Sequence, residues 1–268
     1  MQVHNKVIVV TGGGSGIGRE LVLALLKKGA RVAAVDISAT SLAETVALAG
    51  EMRERLSTHV VNVADRGAVY ALPDIVIAAH GAVDGLINNA GIIQRFVRFK
   101  DLKQEEIERV MEVNFYGTLY MTGAFLPHLL QRPEAHIANV SSMGGFLPVP
   151  GQTIYGASKA AVKLYTEGLH SELRGTNVGV SIIFPGATAT NIAANSGVMM
   201  EGQQENSDMK YKTTPADVAA NEIVKGIEAG KYRVLIGSDT RAMDLLYRLM
   251  PQRAAGIIYN QMKNLLPI

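Results

Sequence analysis

Short runs of β-branched and apolar residues recur along the chain at 7–10, 32–35, 60–63, 85–87, 137–140, 180–184 and 234–236. Each is continuous rather than alternating, the pattern of strands buried on both faces. Seven strands are predicted. Between them the apolar positions fall at spacings of three and four, as at Ile17, Leu21, Ala24 and Leu25, which is the period of a helix laid against a sheet. Lys27 and Lys28 suit the negative end of that first helix, and Gly29 can take the left-handed conformation that stops it. Strands and helices in alternation predict an α/β fold, a parallel sheet with helices on both faces.

No Pro/Gly/Ser linker, repeat or low-complexity tract interrupts the series, so residues 1–268 are expected to form a single domain. Two segments break the rhythm. Residues 187–214 are long, polar and aperiodic, as expected of a loop with a function. Residues 243–268 carry Leu, Met, Tyr and Ile at helical spacing with intervening Arg and Lys, and read as an amphipathic extension packed on the body or on another subunit. A helix lying on a membrane surface is the sharper alternative.

Composition narrows the classes. With 26 basic against 24 acidic residues the net charge is +2, far from that of a nucleic-acid binder. A 48% hydrophobic content at this length supports a large core rather than disorder. The absence of cysteine excludes disulfides and thiolate metal sites. The six histidines show no ligand spacing, so no metal is expected. No apolar run reaches the ~18 residues of a membrane span, and the expectation is a soluble, cytoplasmic protein.

Chemistry begins where the first strand ends. Thr11-Gly12-Gly13-Gly14-Ser15-Gly16-Ile17-Gly18 leads directly into a helix. Glycines permit a tight turn whose backbone N–H groups can approach a pyrophosphate at the positive helix end. The spacing is G-x-x-x-G-x-G rather than G-x-G-x-x-G, and no Lys-Ser/Thr pair follows, which argues against a triphosphate loop. Asp36 closes the second strand, where an acidic side chain reaches the ribose hydroxyls of an adenosine half. A carboxylate there repels a 2′-phosphate, and Ser15, Ile37 and Ser38 offer no compensating cation, so NAD is favoured over NADP. Arg19 and Arg31 are close enough in sequence to leave that choice open.

Tyr155 and Lys159 are four residues apart at the start of a predicted helix, on one face and one turn apart. A phenol titrates near 10, and a cation ~4 Å away can favour its anion by up to ~4 kcal/mol at an effective dielectric near 20. The pair can then exchange a proton near neutral pH. Ser142, thirteen residues upstream at a strand end, opens onto the same crevice and can hold a substrate oxygen.

Together these residues resemble the short-chain dehydrogenase/reductase family. The matching motifs are the glycine turn, Asn88-Asn89-Ala90-Gly91, Asn114, Ser142, Tyr155-x-x-x-Lys159 and the stretch from Pro185 to Thr190, spread in family order over about residues 5–240. The resemblance implies a Rossmann-type doubly wound sheet and a secondary alcohol–ketone interconversion with NAD(P). Tyr155 would be the general acid/base, and Lys159 would lower its pKa and bond the nicotinamide ribose. Ser142 would orient the carbonyl, and Asn114 would anchor a water leading protons to solvent. Gly12, Gly14, Ser15, Gly16, Ile17 and Gly18 would hold the cofactor at its pyrophosphate, Asp36 at the adenosine ribose and Asn62 with Val63 at the adenine, while Asn88, Asn89, Ala90 and Gly91 would line the adenosine side. Pro185, Gly186, Thr188 and Thr190 would meet the nicotinamide. Asn62 replaces an aspartate frequent in the family, and its amide oxygen could still accept from the adenine.

The substrate is expected to be apolar, an aliphatic, cyclic or lipid-like secondary alcohol such as a steroid or retinoid. Its pocket would draw on residues 94–100, 143–154 and 187–214, with Phe96, Phe146, Leu147, Val149, Ile154, Met199 and Met200 as walls. A non-catalytic dinucleotide sensor need not keep Ser142, Tyr155 and Lys159 together. Ala160, Ala161, Leu164 and Leu169 give the helix over 155–174 more apolar surface than one sheet face needs, which suggests a homodimer or homotetramer, as in the family.

Overall fold

The computed structural model describes residues 1–190, 192–198, 213–263 and 266. Strands and helices alternate through its first half: β1 (Val7–Thr11), α1 (Gly16–Lys27), β2 (Arg31–Asp36), α2 (Ala39–Ala49), β3 (Leu56–Val60), α3 (Arg66–His80) and β4 (Gly85–Asn88). The second half runs α4 (Gln104–Met111), α5 (Gly117–Leu129), β5 (Ala135–Val140), α6 (Thr153–Glu172) and β6 (Val178–Pro185). A small excursion follows, with β7 (Thr188–Ala189), α7 (Ile192–Asn195) and β8 (Thr214–Pro215), before α8 (Ala216–Glu228), β9 (Arg233–Ile236), α9 (Ser238–Leu249) and α10 (Pro251–Met262).

Seven strands pair in parallel in the order β3-β2-β1-β4-β5-β6-β9, the Rossmann-type sheet expected. The chain leaves β1 toward one edge and returns at β4 to build the other. The carboxyl ends of β1 and β4 therefore border the crevice where ligands bind in such sheets. Side chains alternate along each strand: Ile8 and Val10 pack with Leu21, Leu25 and Ile223 under α1 and α8. Val7 and Val9 face the other way, into Leu72, Val76, Met121 and Phe125 under α3 and α5. Each such fully buried side chain contributes roughly 1.5–3 kcal/mol, so two dry layers clamp the sheet and hold its strand ends in fixed register.

The third strand is a correction. It spans Leu56–Val60 rather than residues 60–63, pairing Val32 with Leu56 and Asp36 with Val60. It is an edge strand, and Val60 itself is 60% exposed, so the strand needs no continuous apolar run. The apolar run at 60–63 marks where the chain leaves the sheet.

The C-terminal extension is two helices, not one. Pro251 cannot donate a backbone hydrogen bond and begins α10 afresh. Ala254 and Ile258 are buried against Leu147, with Met143, Phe146, Met243, Leu246 and Tyr247 packed around them. The extension thus lies on the body, beside the segment that follows β5. Among the described residues no helix is long and apolar enough to cross a membrane.

Candidate active site

The glycine turn is shaped by close approach. Gly12 and Gly16 have φ of +70° and +51°, a region L-residues with side chains rarely enter. A Cβ on Gly18 would lie 1.9 Å from the carbonyl oxygen of Gly12, so that position admits no side chain without moving the turn. Ser15 is the residue before α1, yet its hydroxyl does not cap the helix and the first turn holds no acidic residue. The first N–H groups of α1 are thus left to an outside acceptor, which fits a pyrophosphate. Ile17 leans into the core below.

Asp36 accepts from Gly14 N at 2.9 Å and from Ser38 N at 3.0 Å, tying the end of β2 to the turn. The two arginines that left the cofactor choice open are engaged elsewhere. Arg19 donates to Gly14 O and pairs with Glu44, and Arg31 donates to the carbonyls of His80 and Ala79.

The end of β4 is laced to β1. Asn89 N and Ala90 N both donate to Thr11 Oγ1, and Asn89 Nδ2 donates to Thr11 O. Gly91 leaves room where a Cβ would meet Lys159 Nζ at 3.1 Å and Asn114 Oδ1 at 3.3 Å. The buried Asn88 amide donates to Thr122 Oγ1 and Asn139 Oδ1, bracing β4 against α5 and β5. Asn62 accepts from Ala64 N in a turn of its own, and Val63 is buried against Gly117.

The candidate catalytic residues converge from three elements. Ser142 sits just past β5, where its hydroxyl accepts from Gly144 N at 3.0 Å. The Tyr155 ring, on the first turn of α6, lies beside Ser142: a Cβ on Gly144 would meet Tyr155 Cε1 at 3.4 Å and Ser142 Oγ at 3.5 Å. Lys159, one turn on, reaches back to Val140 O at 3.0 Å. Asn114 lies in a π-helical turn (Glu112–Tyr116) and is fully buried. Its Oδ1 accepts from Ile92 N, and its Nδ2 donates to Ile92 O and Ser158 Oγ. Its side chain is therefore a clamp between the β4 exit and α6, and its backbone carbonyl accepts from Thr118 Oγ1. Opposite, Gly186 N donates to Ile236 O, Thr188 Oγ1 donates to Gly186 O, and Thr190 lies over Gly16. Pro185 ends β6 at the same rim.

Sequence comparison agrees with this geometry. The short chain dehydrogenase profile matches residues 6–201. A protein named SadH from Mycobacterium tuberculosis is 38% identical over 92% of this chain and 91% of its own. This chain belongs to the short-chain dehydrogenase/reductase family. Two solved members share the fold. One, from Burkholderia phymatum in complex with NAD, has a TM-score of 0.81 at 28% identity, covering 93% of this chain and 96% of that one. The other, from Burkholderia cenocepacia in complex with NADP, has a TM-score of 0.80 at 25% identity, covering 96% and 99%. The family makes the protein an NAD(P)-dependent oxidoreductase.

Against that family pattern the electrostatics shift one expectation. Burial pushes the Tyr155 phenol up, and the hydrogen bond with Ser142 pulls it down. Burial also holds the Lys159 ammonium down, at about 8. The phenol is thus held up by burial, where its spacing from Lys159 predicted a lowering. Sequence reasoning missed Asn195, whose Nδ2 donates to Ser15 Oγ at 2.8 Å, and Ser196, whose hydroxyl accepts from Ile93 N. Both sit in the stretch 187–214, where their bonds cross 180 and 103 positions and leave no local signal. Met199 and Met200, expected as pocket walls, lie outside the described residues. Leu147 is corrected from pocket wall to core, and Phe146 stacks against Phe184 and Tyr247.

Proposed function

We propose that this protein interconverts a secondary alcohol and a ketone, with NAD as the preferred cofactor and Tyr155 as general acid/base. The observation that carries the reading is the approach of the Tyr155 ring and the Ser142 hydroxyl around Gly144 at the mouth of the crevice, with Lys159 one helical turn behind. When bound, the nicotinamide donates or accepts the hydride. Ser142 donates to the substrate oxygen and polarises it. Tyr155 takes the hydroxyl proton from that oxygen in oxidation and returns it in reduction. Lys159, charged below about 8, bonds the nicotinamide ribose and stabilises negative charge near the phenol. The uncapped start of α1 would hold the pyrophosphate, and Asp36 would accept from the adenosine ribose.

Met143 and Phe146, backed by Met243, Leu246 and Tyr247, give the site an apolar wall that suits an aliphatic or cyclic alcohol better than a sugar. A panel of secondary alcohols assayed with both cofactors tests the reading. Turnover with NAD, at least about tenfold more efficient than with NADP, is expected; Asp36→Ala should weaken NAD by about tenfold or more and narrow that preference. No oxidation of any panel member by NAD or NADP would remove it. Assembly into a homodimer or homotetramer belongs to the same reading, because Leu164 on α6 is 69% exposed and Tyr116, in the turn that packs against α6, is 44% exposed. Leu164→Glu should lower the mass read by light scattering, and a wild-type monomer at micromolar concentration would refute the assembly.

A further inference from the structure

α6 carries Tyr155 in its first turn, yet the helix is not capped by its own preceding residue. Gln152 stands at that position and makes no side-chain cap, and no acidic residue lies in the first turn. The cap comes from across the crevice. Gln94 Oε1 accepts from Ile154 N at 2.8 Å and from Tyr155 N at 3.0 Å. Gln94 Nε2 donates to Gly151 O at 3.0 Å, and Gln152 Nε2 returns a bond to Gln94 O at 2.9 Å. Both glutamines are 3% exposed, so these bonds form out of water, where leaving one partner unpaired costs most.

The other end of the connection is as firmly held. Ile92 is gripped by the Asn114 amide through both its N–H and its carbonyl, and Ile93 N donates to Ser196 Oγ. Three successive residues at the exit of β4 are therefore fastened to three different elements, the last of them to the backbone nitrogen of Tyr155. We propose that Gln94 is a positioning residue for Tyr155: its side-chain carbonyl caps the first turn of α6 and so fixes where the phenol enters the crevice. A neutral amide suits this place. A carboxylate would accept the same two N–H groups, but it would set a second acceptor against the Gly151 carbonyl in place of the amide's donor, and its charge would oppose formation of the phenolate on the residue it caps. The segment 94–100, expected to set specificity, thus begins with a residue turned inward to the catalytic helix.

The inference rests on the acid/base reading of Tyr155, and its test separates the two. Tyrosinate absorbance of the full chain with NAD, taken as the difference between the wild type and Tyr155→Phe, titrates this phenol without needing a substrate. In Gln94→Glu, with its own Tyr155→Phe control, the midpoint should rise by about one pH unit. With a panel alcohol that the wild type oxidises, Gln94→Glu should keep kcat within about fivefold at its own pH optimum, because both accepted bonds survive. Gln94→Leu, which keeps neither, should lose about 10²-fold in kcat with NAD affinity nearly unchanged, as a misplaced catalytic group does. An unshifted midpoint in Gln94→Glu, or near-wild-type kcat in Gln94→Leu, overturns the proposal; should Gln94→Leu not fold, the Gln94→Glu midpoint alone decides. Wild-type turnover by Tyr155→Phe would instead overturn the acid/base reading, whatever the Gln94 variants show.

Discussion

Tyr155→Phe should lower turnover by more than about 10³-fold while NAD still binds. The substitution removes one oxygen and keeps the ring, so the packing of α6 and the crevice wall are preserved. What is lost is the group that takes a proton from the alcohol and the partner of the Ser142 side chain. Burial holds the phenol above its ordinary value, so its anion grows in as pH rises. Oxidation of an alcohol should therefore speed up toward alkaline pH in the wild type, and reduction of the ketone should slow. The variant should show neither dependence. Steady-state kcat in both directions, with cofactor binding followed by NADH fluorescence, checks each part. A variant that turns over normally would leave Tyr155 without its role.

The fold was legible because burial on both sheet faces writes itself into continuous apolar runs. Six of the seven strands announce themselves this way, from the fully buried β1 to β6, whose Ile182, Ile183 and Phe184 are sealed. The exception follows the same physics. β3 lies on an edge, its residues only partly covered, and Leu56-Ser57-Thr58-His59-Val60 carries no continuous run to find. The break at Pro251 was visible as a residue, but helical spacing continues through it at 243–262, and periodicity alone does not see a change of axis.

At the site, the legible parts are those fixed by local chain geometry. A glycine turn between strand and helix, an acid at a strand end, and a Tyr and Lys one turn apart all need only neighbours in sequence. The illegible parts are side chains whose partners come from afar. Asn88 looks like a turn residue beside a cofactor, yet its amide turns down to Thr122 and Asn139. Asn114 looks like a helix-interior amide, and what it clamps is Ile92, 22 positions away. Gln94 caps a helix 60 positions downstream. Such roles depend on which strand ends meet, a property of the β1–β4 crossover rather than of any single segment.

Lys159→Met should give an enzyme that is more stable and nearly inactive. The ammonium is buried, 4% exposed, and donates one hydrogen bond to Val140 O. Burial holds its pKa at about 8, against an ordinary value of 10.5. Below about pH 8 the group is charged in both folded and unfolded chains, so folding there bears the full cost of dehydrating the charge. Between about 8 and 10.5 the unfolded chain binds a proton that the folded chain has released, and wild-type stability rises with pH. Above that window both forms are neutral and the cost is gone. The shift corresponds to about 3 kcal/mol, and losing the bond to Val140 O returns about 1 of it. Methionine, of similar length and apolar, should therefore raise unfolding stability by about 2 kcal/mol at pH 7, a gain that vanishes just below pH 10 and turns into a loss of about 1 kcal/mol above the window. Turnover should fall by about 10³-fold, because no cation is left to hold the nicotinamide ribose or to favour the phenolate. Urea unfolding of both proteins across this pH range reads the stability difference. A gain that is absent at neutral pH, or that grows as pH rises, would show that the buried ammonium is not held against its own solvation for the sake of the reaction.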